Sequence, residues 1–435
     1  MRDRTETDDR QTTFEKIWET DNAPSGKWPL YTRGNVGEVF PEVVLPFTWD
    51  LIGKQAEDGW RDAFATMGLS APCDLPPDED MVILGVFGGY CYINASYVRM
   101  LGVRAPGGDV ATIDSTFFGE SDAPAYVPRK GDKHAMASLR LGRTVLRLLG
   151  TKELPGLEQD KTSVERFVAK YPGDHASDAG LLAYCLSYRP LFRHLFGRHI
   201  ENTFSAALLL GALGDLVVKA GKADRLVSLL GGIGEIESAG PSAAMWELSR
   251  MAPDSEEYTV GFDAFIAEFG SRGPNEWDIG SDPWAFRPEM AVAAIDAMRT
   301  APDHHAPSVQ SARLAAEREE TVEDVRSALN RVDRFQFDKA FAATTLYSQA
   351  RERSKTTVIR SHHAVRRAQA VLAERAAANG GVAERWQSCV LNVEEFEAYL
   401  GDPAAFGDVI AKRVALHERL SALVPPFIVD GEVPP

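Results

Sequence analysis

Cysteine is scarce in this sequence, and long apolar runs are missing. The 435 residues include four cysteines that lie far apart and form no CxxC pair: Cys73, Cys91, Cys185 and Cys389. Neither a disulfide framework nor a zinc site is indicated, and we expect no bound metal. We find no apolar run of about 18 residues, and the charged N-terminus lacks the apolar centre of a secretion signal. These absences predict a cytoplasmic protein.

Basic residues are also fewer than acidic residues. The 47 Lys and Arg residues face 63 Asp and Glu residues, which gives a net charge of −16 at pH 7. Such an acidic chain is a poor partner for nucleic acid or for an anionic membrane. Its length and its hydrophobic fraction of 44% are enough for one large globular domain or for two closely packed ones. A local basic patch would stand out against this background.

Proline and glycine are absent between Pro307 and Gly380. Ala, Arg, Glu, Gln and Leu dominate this stretch, which therefore predicts long helices. We expect a break near Asn330–Asp333, with a helix of about 20 residues before it and a longer helix after it.

Polar side chains share one face of the second of these helices. A rotation of about 100° per residue places six of them in a narrow sector, with Glu352 at its flank: Thr344, Ser348, Arg351, Lys355, His362 and Arg366. Two interpretations are open. The face is either a solvated charged surface or an anion site, in which two or three cations suit a transferring phosphoryl group.

The N-terminal part of the sequence has a different composition. Residues 1–12 are polar, and Trp18–Pro46 is rich in Pro and Gly, which predicts an extended, turn-rich lead-in. Arg33, Asn35 and Glu38 stand among glycines, and glycine lets a backbone approach a ligand or another backbone closely. A functional loop and a plain turn both remain open here.

The run Met81–Val103 begins like a buried strand and continues into a short helix. Its Tyr90, Tyr92 and Asn94 either line a pocket for an aromatic ligand or pack in the core. Residues 104–133 read as a loop region, rich in Gly, Asp, Ser and Pro.

After residue 133 the apolar residues recur at helical spacing. The whole predicts a mainly α protein, a large helical domain with long central helices and a turn-rich N-terminal part that carries a few short strands. His194 and His199 are five residues apart, which does not match a zinc-binding helix and indicates core or surface histidines. Ser238 is a candidate N-cap.

A loop punctuated by Gly and Pro, residues 271–284, brings Arg272 and Glu276 together. Side chains in such loops often carry function. Further on, residues 385–403 predict a short strand and a helix, and residues 405–423 predict a last helix. The final residues, 425–435, read as a linker-like tail.

Five segments in order resemble the central substrate-binding domain of the phosphoenolpyruvate-utilising, dikinase-type phosphotransferases, most closely that of rifampicin phosphotransferase. They are TRGNVGEVFPEVVLPFTW, YCYINASYV, FGSRGPNEWDIGSDPW, ARERSK and PPFIVDGE. In that family a nucleotide-binding domain phosphorylates a histidine on a small swivelling domain. The swivelling domain then carries the phosphoryl group to a substrate held by the helical central domain.

The resemblance implies roles for individual residues. The family's RE-x-x-K element, which faces the phosphohistidine, matches Arg351, Glu352 and Lys355, so these are the expected catalytic residues; Glu352 would orient the lysine or accept the hydroxyl proton. The expected substrate-binding residues are Arg33, Asn35, Glu38, Tyr90, Tyr92, Asn94, Arg272, Glu276 and His362. Between the two cations, Arg353-Ser354 departs from the aromatic-Pro pair expected in rifampicin-inactivating members, which does not favour the antibiotic as substrate.

No segment resembles an ATP-grasp domain, and Ser361–Arg367 matches the swivelling domain's GG-x-x-SH-x-A-I-x-AR signature only in part, without its glycines. The resemblance therefore implies a subunit that is inactive alone and binds no cofactor itself. Its partner polypeptide would carry the ATP-grasp and phosphohistidine domains and use ATP and Mg²⁺.

Two-subunit aryl phosphate synthases, which phosphorylate phenols such as 4-alkylphenols or p-cresol at the start of their degradation, fit this arrangement best. The alternatives are a rifampicin-type phosphotransferase subunit and a non-catalytic binding or regulatory protein of the same fold. We expect a flexible lead-in over residues 1–30, a helical substrate-binding domain over 31–424 and the tail over 425–435. A subdivision near residues 104–133 is left open.

Overall fold

The computed structural model describes residues 16–71, 74–76, 79–104, 110–119, 123–129, 131–233 and 240–431. The polar N-terminal residues 1–12, Cys73 and the candidate N-cap Ser238 lie outside these ranges. The described residues form fifteen α-helices and four short strands, so the prediction of a mainly α fold is confirmed.

The elements follow the chain in this order. The strands are β1 (Leu30–Thr32), β2 (Leu84–Phe87), β3 (Tyr90–Asn94) and β4 (Ile428–Asp430). The helices up to the middle of the chain are α1 (Val36–Val39), α2 (Pro46–Met67), α3 (Ala95–Arg104), α4 (Val110–Phe117), α5 (Ala135–Gly150), α6 (Pro155–Ala169), α7 (Asp178–Lys219) and α8 (Gly240–Ser249). The remaining helices are α9 (Glu256–Phe269), α10 (Pro288–Arg299), α11 (Pro307–Ala328), α12 (Arg331–Ala378), α13 (Arg385–Ser388), α14 (Val393–Gly401) and α15 (Gly407–Ser421).

The stretch without Pro or Gly forms two helices, as predicted. Helix α11 has 22 residues and α12 has 48. The break falls at Asn330, whose side-chain oxygen accepts hydrogen bonds from the backbone N–H groups of Val332 and Asp333. Asn330 is thus the N-cap of α12, which satisfies two donors that a helix start leaves unpaired.

The core of the protein lies where α7 packs along α12 and α2 packs on α7. Helix α7 is one continuous helix of 42 residues that includes Pro190. Close packing of α2 on α7 depends on two glycines. A Cβ on Gly59 would lie 3.1 Å from the Arg193 carbonyl oxygen, and one on Gly197 would lie 3.3 Å from the Gly59 carbonyl oxygen.

Helix α7 is also long and apolar enough to cross a membrane, judged by length and composition alone. Among the described residues it is the single helix of this kind. Its buried residues, such as Leu181, Cys185, Tyr188 and Phe192, belong to the main hydrophobic core. One such helix is weak evidence for a membrane span, because core helices of soluble proteins have the same composition, and the structure is consistent with a soluble protein.

The strands form one antiparallel sheet in the order β2-β3-β1-β4. Gly88 and Gly89, both at positive φ, make the two-residue turn between β2 and β3, where glycine avoids the steric cost of the left-handed region. Strand β4 comes from the C-terminal tail and pairs with β1, with Tyr31 opposite Val429. The tail is therefore tied to the N-terminal sheet over residues 428–430, while the domain boundaries stay predictions.

Two local expectations need correction. The presumed loop over 104–133 contains α4, which is held by an ion pair of 2.6 Å between the buried Arg99 and Asp114. The strand expected within 385–403 is absent from the described residues, which form α13 and α14 there. Helix α2 begins at Pro46, the last residue of the turn-rich lead-in, and proline suits the first turn of a helix.

Candidate functional site

The loop between α9 and α10 is fixed to α12 by a buried arginine. The guanidinium of Arg366 donates hydrogen bonds of 2.9 Å to the carbonyl oxygens of Glu276 and Asp278 and one of 3.3 Å to that of Ile279. Arg366 is fully buried. Burial and the neighbouring Arg385 lower its pKa to about 10, which still leaves it charged at neutral pH. The loop backbone is thus held rigidly against the long helix.

A buried carboxylate holds the same loop to α2. Asp278 accepts a hydrogen bond of 2.5 Å from the Thr48 hydroxyl and one of 3.1 Å from the backbone N–H of Leu45. Burial raises the pKa of Asp278, and these hydrogen bonds oppose that rise. Two clamps from different helices therefore preorganise this loop, as a functional site requires.

Glu276 lies at the centre of the candidate site. Its carboxylate pairs with Arg272 at 2.6 Å and with Lys355 of α12 at 3.2 Å. Arg272 and Glu276 are only 14% and 11% exposed, whereas Lys355 is 33% exposed. The structure thus brings the Arg272–Glu276 pair of the loop into contact with Lys355 of α12. The sequence predicted these residues only as separate candidates.

Arg351 lies one helical turn before Lys355, on the same face of α12. Its guanidinium pairs with Glu352 at 3.0 Å, and its side chain is 52% exposed. The expectation that Glu352 orients the lysine is not met, because Glu352 contacts Arg351 and the carboxylate that holds Lys355 is Glu276.

His199 of α7 joins this cluster, although its spacing in the sequence indicated only a core or surface histidine. Its Nδ1 atom lies 3.2 Å from the hydroxyl oxygen of Ser354. Burial and the charge of Arg351 lower the pKa of His199 to about 4, with Lys355 contributing in the same direction. No spacing in the sequence signals this residue, because it reaches α12 only through the packing of two helices.

A cavity of about 280 Å³ adjoins the cluster. Its walls come from α1, α8 and the loop before α10: Glu38, Val39, Pro241, Ser242, Arg272, Gly273, Asn275, Glu276, Trp277 and Trp284. Two tryptophan rings make part of the wall aromatic. The indole N–H of the buried Trp277 and the side-chain oxygen of Asn275 have no hydrogen-bond partner in the described part of the chain. Unpaired buried polar atoms at a cavity are suited to a ligand that supplies the missing partners.

Only part of the glycine-rich N-terminal segment lies at the cavity. Glu38 lines the cavity, whereas Asn35 is an exposed residue at positive φ that begins α1. Arg33 faces inward, where it donates to the carbonyl oxygens of Phe40 and Cys91 and stacks on the Tyr90 ring. Its role is to hold this segment rather than to meet a substrate.

Gly34 in this segment allows the close approach of two backbones. A Cβ on Gly34 would lie 1.8 Å from the carbonyl oxygen of Phe117 at the end of α4. Only glycine fits at such a distance. Of the two interpretations left open by the sequence, this position supports backbone packing.

Tyr90, Tyr92 and Asn94 do not line the cavity. Their polar groups are used by the main chain: the hydroxyl of Tyr92 donates to Pro426 O at 2.8 Å, that of Tyr90 donates to Leu420 O at 2.9 Å, and the Asn94 amide donates to Trp28 O. All three residues belong to the core, and the two tyrosines hold the C-terminal segment, so the expectation of a pocket around them is corrected.

His362 is likewise not positioned to contact a substrate at the surface. It is fully buried beneath Trp277, and its Nδ1 atom lies 2.6 Å from the hydroxyl of Tyr188. Burial lowers its pKa to about 3, and the nearby Arg366 adds to this effect. With Thr344 and Arg366 also buried, the predicted polar face of α12 is not uniformly solvated. It reaches the surface around Arg351 and Lys355.

Residues 198–356 match the family model of the rifampicin phosphotransferase fourth domain. No curated protein matches the chain. The matched segment covers a little over a third of the sequence and includes His199, Arg272, Glu276, Arg351 and Lys355. The match supports a domain of the phosphoenolpyruvate-utilising, dikinase-type phosphotransferases.

Proposed function

We propose that this chain is the substrate-binding subunit of an ATP-dependent phosphotransferase. It receives a phosphoryl group from a phosphohistidine on a partner polypeptide and passes it to the hydroxyl of a small phenolic compound, as in an aryl phosphate synthase. The observation that carries the proposal is the bridge from Arg272 through Glu276 to Lys355 at the cavity wall, with Arg351 one turn away.

The three cations suit the charge that a transferring phosphoryl group presents. In a loose transition state this charge is spread over the three equatorial oxygens, and catalysis depends on positioning and on electrostatic stabilisation. Arg351 and Lys355 are at least one-third exposed, so a phosphoryl group carried by a partner can reach them. Arg272 and Glu276 hold Lys355 in place until the phosphoryl oxygens compete for its ammonium group.

The size of the cavity supports a small substrate. Drug-sized ligands occupy cavities of roughly 300 to 1,000 Å³, and this cavity measures about 280 Å³. A single substituted aromatic ring fits such a space between Trp277 and Trp284, whereas a macrocyclic antibiotic exceeds it. A phenol also supplies an oxygen that can accept a hydrogen bond from an unpaired indole N–H.

One observation favours a second candidate, a non-catalytic binding protein of the same fold. Each of Arg272, Arg351 and Lys355 is already paired with a carboxylate. A site that binds a neutral aromatic ligand without transferring phosphate has no need to release these cations. The two candidates differ in whether the cations contribute to turnover or only to the architecture of the site.

The test mixes the chain with a candidate partner that carries ATP-grasp and phosphohistidine domains, and adds ATP, Mg²⁺ and a panel of phenols. Formation of an aryl phosphate that requires both polypeptides supports the proposal. We expect no tight binding of ATP to the isolated chain by calorimetry and no label on His362 or His363 from radioactive ATP. Phenol binding without any transfer would favour the non-catalytic candidate.

We further propose a soluble cytoplasmic subunit that forms a hetero-oligomer with this partner. Binding of the two purified polypeptides in sedimentation experiments checks the assembly.

A further inference from the structure

We propose that the Nε2 atom of His199 accepts the proton of the substrate hydroxyl during phosphoryl transfer. This inference rests on the proposed function and assigns a role in it to a residue outside the RE-x-x-K element. It follows from how the ring is held between α7 and α12 and from which of its nitrogens remains available.

The hydrogen bonds around the ring determine its tautomer. The Ser354 hydroxyl donates to the carbonyl oxygen of Arg351 at 2.9 Å, so its own hydrogen is used. Its oxygen therefore accepts from His199 Nδ1, 3.2 Å away, and the hydrogen of a neutral ring resides on Nδ1. Nε2 then carries the lone pair and can act as a base.

No side chain in the described part of the chain hydrogen-bonds to His199 Nε2. The ring lies against Phe196 on its own helix and against Trp277, with centroids 5.8 Å apart in the second case. Trp277 in turn lines the cavity. His199 is only partly buried, in contrast to His362, which no substrate can touch.

Charged groups act on the ring from α12. They are Arg351, Glu352 and Lys355, and Lys355 is itself paired with Glu276 of the loop. Burial and the two cations lower the pKa of His199 to about 4, which keeps the ring neutral at neutral pH. An incoming phosphoryl dianion offsets the two cations, so the ring becomes a stronger base at the moment of transfer.

Glu352 is the competing proton acceptor. Its carboxylate is committed to Arg351 by contacts of 3.0 Å to two guanidinium nitrogens. His199 Nε2, which no described side chain engages, is therefore the more available acceptor.

The transfer step forms one bond to phosphorus and breaks another. The phenol oxygen forms a bond to phosphorus while the P–N bond to the partner's imidazole breaks. That imidazole, protonated on its other nitrogen, leaves as a neutral ring with the electron pair of the P–N bond. The phenol proton moves to His199 Nε2, which becomes an imidazolium and later releases the proton to water.

The test uses phosphoimidazole as phosphoryl donor with the full chain at pH 8, and compares phenol with 4-nitrophenol, which is largely ionised at that pH. His199→Asn retains an amide donor toward Ser354 but has no base at the Nε2 position. We expect kcat to fall about a hundredfold for phenol, as for loss of a general base, and less than threefold for the ionised phenol.

His194→Gln on the same helix is the matched control. His194 is exposed and paired with Asp160, away from the cluster, and its variant should leave both rates unchanged. Equal losses for both phenols in His199→Asn, or no loss at all, would overturn the inference. A phenol-selective loss in Glu352→Gln instead would assign the proton to that carboxylate. Absence of transfer by the wild-type chain to either phenol would count against the proposed function itself.

A second measurement does not require a phosphoryl donor. Nitrogen chemical shifts of ¹⁵N-histidine, assigned with the His199→Asn variant, report which ring nitrogen carries the hydrogen. We expect the neutral Nδ1–H form of His199 at pH 7. An Nε2–H form or a charged ring at that pH would contradict the assignment.

Discussion

The ammonium group of Lys355 lies 3.2 Å from a carboxylate oxygen of Glu276. This contact joins the longest helix to a loop that two buried clamps hold in place, and it brings the lysine next to a cavity with aromatic walls.

Changing Arg351 or Lys355 to Ala should lower kcat by about two orders of magnitude per residue while KM stays nearly constant. Both cations stabilise charge that develops mainly in the transition state. Steady-state kinetics with the partner and a phenol measures this effect. Arg360→Ala, an exposed position on the same helix, is the control and should retain full activity. Normal turnover in folded Ala variants would show that the cations are only a solvated surface.

Glu276→Gln should lower kcat about tenfold, because Lys355 and Arg272 lose the charge that holds them together. A double-mutant cycle with Lys355→Ala should show coupling of about 1 kcal/mol or more in transition-state stabilisation. Glu289→Gln, which breaks the exposed pair with Arg287, is the control and should have no effect. Additive losses in the cycle would mean that the ion pair does not position the lysine.

Ser242→Trp should weaken phenol binding at least tenfold, because the new ring fills the cavity that Ser242 lines. Calorimetric titration of the isolated chain with a phenol measures the change. Ala243→Trp places the same ring at the next exposed position of α8, which does not line the cavity. Equal affinities in the two variants would indicate that the substrate binds elsewhere.

Tyr92→Phe should destabilise the protein by about 1 kcal/mol and leave KM unchanged. The variant removes one buried hydrogen bond, from the Tyr92 hydroxyl to Pro426 O, without opening a cavity. Urea unfolding and steady-state kinetics test the two halves of the prediction. A raised KM at unchanged stability would restore Tyr92 to the substrate site.

His362→Asn should reduce the sensitivity of the fold to acid. His362 has a pKa of about 3 in the folded protein against about 6.5 when unfolded, so the unfolded chain binds more protons below pH 6.5. Stability from this residue is present above pH 6.5 and is lost as the pH falls, by about 3 kcal/mol at pH 4.

Urea unfolding of wild type and His362→Asn across this pH range measures the difference. The buried carboxyl of Asp278, whose raised pKa has the opposite effect, is common to both proteins and cancels in the comparison. Parallel stability curves for the two proteins would contradict the prediction.

Sequence patterns predicted much of the helical framework. The break at Asn330 and the helices on either side of it follow from capping chemistry and from the absence of Pro and Gly, which act over a few residues. The same local rules failed where tertiary contacts dominate. The C-terminal residues read as a linker-like tail, yet β4 forms there because β1 offers it an edge.

The sequence by itself determined the mainly α fold, because helical spacing of apolar residues is local. It also determined that Arg351 and Lys355 share one face of α12, because this depends only on their separation along the helix. Only the tertiary structure decided which other residues reach that face. Glu276 and His199 approach from a loop and from a second helix, so their positions depend on packing across the core. Packing also decided that Tyr90, Tyr92 and His362 are buried, since an aromatic or polar residue has the same spacing in a core as at a binding site.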